Sequence, residues 1–357
     1  MAEKLQKFFL ASNSCEGFIS HFGDSFSAKD VWSAFIIKGG PGTGKSSFMR
    51  HFAAHAREKG LEVILCPCTS DPGSLDGVIV PAKKIVILDG TAPHTLEPVW
   101  PGVCEEIVNL GEFWNADIIK KNSEKIFEVS KQKSVFHRKA SCYLRAAGQV
   151  ITDSLHIAER CTDIDRCTAF AESTVKKLIP DKNSDNGKEW IRFIQGVTPL
   201  GIVSYTDSIT DYYENRVVIS DPYGSVGNIF MRVVREYALS KGYEIITVKN
   251  AFLPSSMIDH VLIPELSLAF VTENKLLSFG GNERRIHARR FIKASQIHSY
   301  RQRLLFNRRI TKELIMAASE TLVAAKDAHS KLEKYYISAM DWSAATEFAE
   351  RFVKEKL

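Results

Sequence analysis

Two groups of residues have the types and spacing for polyphosphate chemistry. The first is Gly39-Gly40-Pro41-Gly42-Thr43-Gly44-Lys45-Ser46, a G-x-x-x-x-G-K-S run between the apolar Ala34-Phe35-Ile36-Ile37 and Ser47-Phe48-Met49-Arg50-His51-Phe52. Glycines let such a loop curl until its N–H groups converge, and a helix starting there adds the positive end of its dipole. Backbone donors from Gly42 to Ser47 would then cradle phosphates, with Lys45 as a mobile cation on the β/γ-phosphates. The Ser46 hydroxyl would ligate Mg²⁺, and Ser47 would touch the α-phosphate. The second group is Asp89, which ends the apolar run Lys84-Ile85-Val86-Ile87-Leu88 and opens Gly90-Thr91-Ala92-Pro93-His94. A strand-end carboxylate beside the serine would hold the same Mg²⁺ through water. The competing reading of Asp89 is an ordinary turn aspartate before glycine.

Other residues carry weaker signals. Asp71, Asp76 and His94 lie near strand ends, where an acceptor would bind, and each also reads as a turn residue. Cys66-Pro67-Cys68 is too closely spaced for a tetrahedral zinc pair without two further ligands, and reads as strand-end packing. His329, Glu333 and Tyr336 share one helix face, as a polar site or as an ordinary surface pair. Residues 284–312 hold ten arginines and lysines and no carboxylate. That segment fits a phosphate-reaching arginine, a partner surface or a solvated face; nucleic acid is the weaker reading, because aromatics do not interleave the cluster.

These groups need elements to hold them. The helix after the loop should run to about Lys59, with Gly60 ending it. Strands are expected at residues 8–10, 62–66 and 84–88, with a short apolar segment at 77–80 closed by Pro81 and an amphipathic piece over 17–26. From 103 to 178 the pattern reads as helical with no strand, a hairpin with Gly148 as its break. The polar stretch 180–187 is the best boundary, and the tail 283–357 reads as helical again.

Beyond that boundary the first half begins again. Phe48-Met49-Arg50 recurs as Phe230-Met231-Arg232, Lys59-Gly60-Leu61-Glu62 as Lys241-Gly242-Tyr243-Glu244, and Asp76 to Pro81 lines up with Asp259 to Pro264. A shift of 182 to 184 residues covers all of these, so the chain is a tandem duplication of units spanning 1–180 and 187–357. The second loop reads Asp221-Pro222-Tyr223-Gly224-Ser225-Val226-Gly227-Asn228, with Gly227 at the lysine position, Asn228 at the serine position and Thr272 in place of Asp89. Each exchange acts against a polyphosphate, so this copy is expected to bind no nucleotide.

At 357 residues and 45% hydrophobic, the chain has material for two cores. The net charge of +5 argues neither for nor against nucleic acid. Seven cysteines without a C-x-x-C pair imply reduced thiols, hence a cytoplasmic setting rather than a disulfide framework. No apolar run approaches membrane-spanning length, so a soluble, unexported protein is expected.

The stretches from Ile36 to Ser47, Ser74 to Gly77 and Leu88 to His94 resemble an uncharacterised family of bacterial ATP-binding proteins built from tandem P-loop domains. The similarity extends along the whole chain. It implies the P-loop NTPase fold, here an α/β chain of two three-layer α/β/α repeats with mainly parallel sheets, each followed by a helical arm. It carries no settled substrate. Members with two intact loops differ from this chain at Gly227 and Asn228.

Three activities stay open for an ATP·Mg²⁺ site. An ATPase, the preferred reading, needs a water-orienting residue. Gly90 follows Asp89 where one P-loop class has glutamate, leaving Glu97, Glu105 or Glu106 as substitutes. A small-molecule or nucleotide kinase needs only an acceptor held in line. A binding switch needs ATP to change how the copies, or a protein partner, pack. The missing N-K-x-D pattern favours ATP over GTP.

Overall fold

The computed structural model describes residues 5–182, 187–280 and 283–357. The amino-terminal half starts with β1 (Gln6–Lys7), the hairpin β2 (Ala11–Ser14) and β3 (Gly17–Ser20), then β4 (Ser33–Lys38) and α1 (Lys45–Glu58). β5 (Ile64–Pro67), β6 (Leu75–Val80), β7 (Ile85–Asp89) and β8 (Glu105–Asn109) follow. The half ends in α2 (Ala116–Lys121), α3 (Ser123–Cys161) and α4 (Ile164–Leu178).

The carboxy-terminal half repeats this order. It runs through β9 (Lys188–Arg192), β10 (Gln195–Thr198), β11 (Gly201–Ser204), α5 (Asp207–Thr210), β12 (Asn215–Ser220) and α6 (Ser225–Ser240). Then come β13 (Glu244–Lys249), β14 (Ile258–Ile263), β15 (Leu268–Glu273) and β16 (Arg284–His287). α7 (Ala294–Ser299), α8 (Arg301–Ile337) and α9 (Trp342–Lys356) complete it.

Each half holds one six-stranded sheet, ordered β1-β5-β6-β7-β4-β8 and, equivalently, β9-β13-β14-β15-β12-β16, and one two-stranded sheet, β2-β3 and β10-β11. In both six-stranded sheets, the third strand of that order is antiparallel to its neighbours and every other pair is parallel. The repeat read from sequence is thus a repeat of topology. Ile37 pairs with Asp89 and Ile219 with Thr272, which sets Thr272 at the register position of Asp89. Phe9 and Phe193, equivalent in the repeat, exchange backbone hydrogen bonds of 2.8 and 2.9 Å, so the local two-fold relation between the halves runs through this pair.

Side-chain alternation assigns each strand face. Phe35 and Ile37 of β4 pack with Phe48, Met49 and Phe52 of α1, whereas Ala34 joins a core shared by both sheets. In β12, Val217 and Ile219 pack with α6, and Val218 enters the shared core. The expected three-layer repeats are therefore corrected. Each six-stranded sheet carries helices on its outer face and meets the other half through its inner face.

The arms are also exchanged. α3 and α8 lie antiparallel, joined by Lys133 to His329 near one end and Asp153 to Asn307 near the other. With 39 and 37 residues these helices are about 55–60 Å long, enough to cross from one half to the other. α4 of the first half then packs on α6 of the second through Cys167, Ala171 and Val175. α9 of the second half packs on α1 of the first, where Phe352 stands 4.9 Å from Phe35 and 5.1 Å from Phe48.

Other differences from the sequence reading have local causes. Residues 8–10 are not a regular strand, and the amphipathic piece 17–26 opens with β3. β8 and β16 stand where only helix was expected, at the sheet edges. In β8, Glu105 and Val108 are buried and Ile107 exposed, a three-residue spacing that imitates a helix. Glu105 is buried because it accepts the Val99 and Trp100 amides. Gly148 does not break α3; a Cβ there would lie 2.1 Å from Cys15 Cβ, so the glycine admits the β2–β3 hairpin. Of the expected boundary, 183–186 lie outside the described residues.

Candidate functional site

α1 starts at Lys45 because Gly44 takes φ +84°, a conformation costly for a side-chain-bearing residue. The first helical bond runs from the Phe48 amide to the Gly44 carbonyl at 2.8 Å, and helix geometry leaves the Lys45, Ser46 and Ser47 amides without intrahelical partners. Gly39, Pro41, Gly42, Gly44, Lys45, Ser46 and Ser47 line a cleft of about 770 Å³, and Asp89 lines it too. That size is ordinary for a small-molecule site. Gly40 and Thr43 are not among the lining residues but brace the loop, with the Thr43 hydroxyl donating to the Gly40 carbonyl at 2.8 Å.

The charged groups converge. Lys45 Nζ donates to the Gly39 and Gly40 carbonyls at 3.2 and 2.8 Å and lies 3.8 Å from Asp89 Oδ2. Asp89 Oδ1 accepts from the Thr91 amide at 2.9 Å and hydroxyl at 2.5 Å. Burial pushes the Asp89 carboxyl up, against the pull of the Lys45 ammonium and of Thr91. The Ser46 hydroxyl accepts the Leu75 amide at 3.0 Å, which fixes its position against β6.

The far wall comes from the exchanged arms. Lys133 and His137 of α3 and Lys326, His329, Glu333 and Tyr336 of α8 line the same cleft, as do Asp71, Asp76 and His94. His329 thus faces the loop rather than forming an ordinary surface pair with Glu333, 3.6 Å away. Burial dominates here: it pulls His329 down to about 4, lowers Lys133 and His137, and raises Glu333. Lys326 pairs with Asp71 at 2.9 Å. The loop is also packed from above, since a Cβ on Gly40 would lie 2.6 Å from the Tyr336 ring and one on Gly42 2.8 Å from the Glu333 carbonyl.

Sequence reasoning missed Lys133, His137, Lys326 and Trp342, because the crossing of the arms that brings them to the loop has no local signal. Internal symmetry and helix length were the only hints. The suggested water-orienting glutamates are engaged elsewhere. Glu97 pairs with Lys38 at 2.6 Å, Glu106 with Lys356 at 3.0 Å, and Glu105 holds the Val99–Trp100 turn. The basic segment 284–312 contributes nothing to the cleft lining. Arg285 instead meets Glu273 at 2.6 Å, Arg303 pairs with Asp153, and Arg290 covers the Phe170 ring at 4.6 Å. A separate depression of about 610 Å³ is lined in part by the Arg216–Glu283 ion pair, 2.8 Å apart.

Comparison of the chain with family models, curated proteins and solved structures finds no match. Among the described residues, no helix is long and apolar enough to cross a membrane.

Proposed function

We propose that the chain is a P-loop protein binding ATP·Mg²⁺ at the amino-terminal loop, and that it hydrolyses the bound nucleotide. One observation carries this reading: a glycine loop, a lysine and a strand-end carboxylate meet at a helix N-terminus in an open cleft. The residues fit the ligand. Helix-start amides and the Lys45 ammonium suit the β/γ-phosphates, and Ser46 with Asp89 offers the hard oxygen donors Mg²⁺ prefers. The ion would spread charge developing on the transferring phosphoryl group. The chain's own part is to orient the phosphates, to supply Lys45 as counter-charge, and to cover the loop with Tyr336 and Trp342.

A second reading, phosphoryl transfer to an acceptor, is favoured by the polar far wall. Lys133, Lys326, Asp71 and Glu333 surround space beyond the loop where an acceptor would sit, and the suggested glutamates are held away from the cleft. Purified full-length protein given ATP·Mg²⁺, with free phosphate and ADP followed with and without nucleosides, nucleotides and RNA, tests both. Phosphate release without acceptor supports the hydrolase and acceptor-dependent ADP the kinase. Absence of nucleotide binding removes both.

A further inference from the structure

We propose that Cys68, Asp76 and His94 form a site for a borderline-soft divalent cation, Zn²⁺ by donor chemistry, distinct from a Mg²⁺ position at Ser46 and Asp89. A thiol sulfur, a carboxylate oxygen and an imidazole nitrogen from three separate segments lie within 4.8 Å of one another. Cys68 follows β5, Asp76 lies in β6, and His94 lies in the turn after β7.

The spacing suits a metal. His94 Nε2 stands 3.5 Å from Asp76 Oδ1. Metal–nitrogen and metal–oxygen bonds of about 2.0–2.1 Å in a tetrahedron give a corresponding edge of about 3.4 Å. With a zinc–sulfur bond of about 2.3 Å the remaining edges are about 3.6 Å, so the sulfur needs to close by no more than about 1.2 Å.

The imidazole is already fixed. Phe22 stacks on it at 4.8 Å and 16°, and Phe18 packs on it at 5.1 Å. Its Nδ1 is buried without a partner, so Nε2, aimed at Asp76, makes the ring's polar contact. Burial pulls His94 down, but the Asp76 carboxylate outweighs it and holds the imidazole above its ordinary value. Burial and Asp76 together keep Cys68 a thiol.

Cation binding would therefore release the Cys68 proton to solvent and, below the raised His94 value, the imidazolium proton as well. Thiolate with imidazole and carboxylate selects zinc over the magnesium that oxygen-only donors take. All three residues line the cleft that holds Lys45, so the fourth coordination position opens into that cleft. The second half offers a comparison. Asp259 keeps the carboxylate, but Asn250, whose amide donates to the Met257 carbonyl as that of Cys68 does to Ser74, replaces the cysteine and donates to Asp259 Oδ1 at 3.0 Å, and Leu277 replaces the histidine. Chain packing alone does not demand the cluster, which belongs to the half with the intact loop.

The inference uses neither Lys45, Ser46 nor Asp89, so it stands or falls separately from nucleotide binding. Co²⁺ titrated into the metal-stripped full-length chain in excess Mg²⁺ tests it through the thiolate-to-cobalt charge-transfer band. One equivalent per chain is expected, displaced by Zn²⁺. Cys68→Ser should abolish the band, and Cys142→Ser, exposed on α3, should leave it intact. His94→Ala and Asp76→Asn should weaken Co²⁺ binding by at least the ~10–100-fold that losing even an outer-shell partner costs. Zn²⁺ should raise the melting temperature of the wild type and not of Cys68→Ser. A folded wild type without a thiolate band, or a band that survives Cys68→Ser, overturns the proposal.

Discussion

The Gly227 amide donates to Asp221 Oδ2 at 2.9 Å, and the Tyr223 amide donates to Oδ1 at 3.0 Å. In the carboxy-terminal loop, a carboxylate of the chain itself therefore takes up amides at the turn where the amino-terminal loop lines an open cleft. Asp221 is fully buried, and burial pushes its carboxyl up despite those bonds. Gly227 also has no room for a lysine, since a Cβ there would lie 2.7 Å from Thr272 Oγ1. The loss of the cation, the arrival of Asp221 and the Asp89-to-Thr272 exchange belong to one rearrangement.

One nucleotide per chain is expected from this, all of it at the first loop. Lys45→Ala in the full-length chain should weaken ATP·Mg²⁺ binding by roughly 2–4 kcal/mol, about 30- to 1,000-fold. Calorimetric titration should reveal no residual micromolar site in that variant. Two sites in the wild type, or unchanged affinity in the variant, would defeat the assignment. Asn228→Ala should leave affinity alone yet lower stability by about 1–3 kcal/mol. Its side chain accepts the Ile258 amide at 3.1 Å, as Ser46 accepts the Leu75 amide.

Tyr336 and Gly40 form a contact between halves that nucleotide chemistry alone does not require. Gly40→Ala should push the ring away and cost about 1–3 kcal/mol, as overpacking does. In the Tyr336→Ala background the same change should cost much less, a coupling of about 0.5–3 kcal/mol in a denaturation double-mutant cycle. Additive effects would mean that α8 does not press on the loop.

Much of this architecture was readable before the structure, for physical reasons that also set the limit. Strand periodicity and the Gly44 and Gly60 signals are local, so α1, β7 and the placement of Asp89 followed from neighbouring residues. The duplication was legible because equivalent positions meet equivalent packing, as Phe48 and Phe230 do. The arm exchange was not legible: Phe352 is apolar whichever helix it covers, and only three-dimensional topology decides between α1 and α6. Cys68, Asp76 and His94 are separated by turns and converge through strand pairing, so spacing gave no zinc-like pattern.

Removing Phe352 tests the exchange. The ring is 4% exposed and contacts Phe35, Phe48 and Phe52 of the other half. Phe352→Ala should cost about 3–5 kcal/mol. Native-state hydrogen exchange should show the loss of protection first in β4 and α1, leaving β12 and α6 comparatively protected. Loss confined to β12 and α6 would place α9 on its own half, against the packing described.

Asp259 gives the chain a pH signature with a definite sign. It is buried, and burial raises its pKa to about 6 even though Asn250 donates to both carboxylate oxygens. Between pH of about 4 and 6 the folded chain holds a proton that the unfolded chain has released. The stability contribution is therefore full below the unfolded value and declines as pH rises through the folded one. Asn at this position carries no such charge. Asp259→Asn should be more stable than the wild type by about 3 kcal/mol at pH 8, from a shift of roughly two units, and the advantage should vanish near pH 4. The adjacent His260, pulled down by burial to about 3, titrates in both proteins and cancels in the difference. Urea denaturation of both proteins at intervals from pH 4 to 8 measures it. A gap that stays constant over that range, or a variant less stable at pH 8, would show that the Asp259 carboxylate is not desolvated as the structure places it.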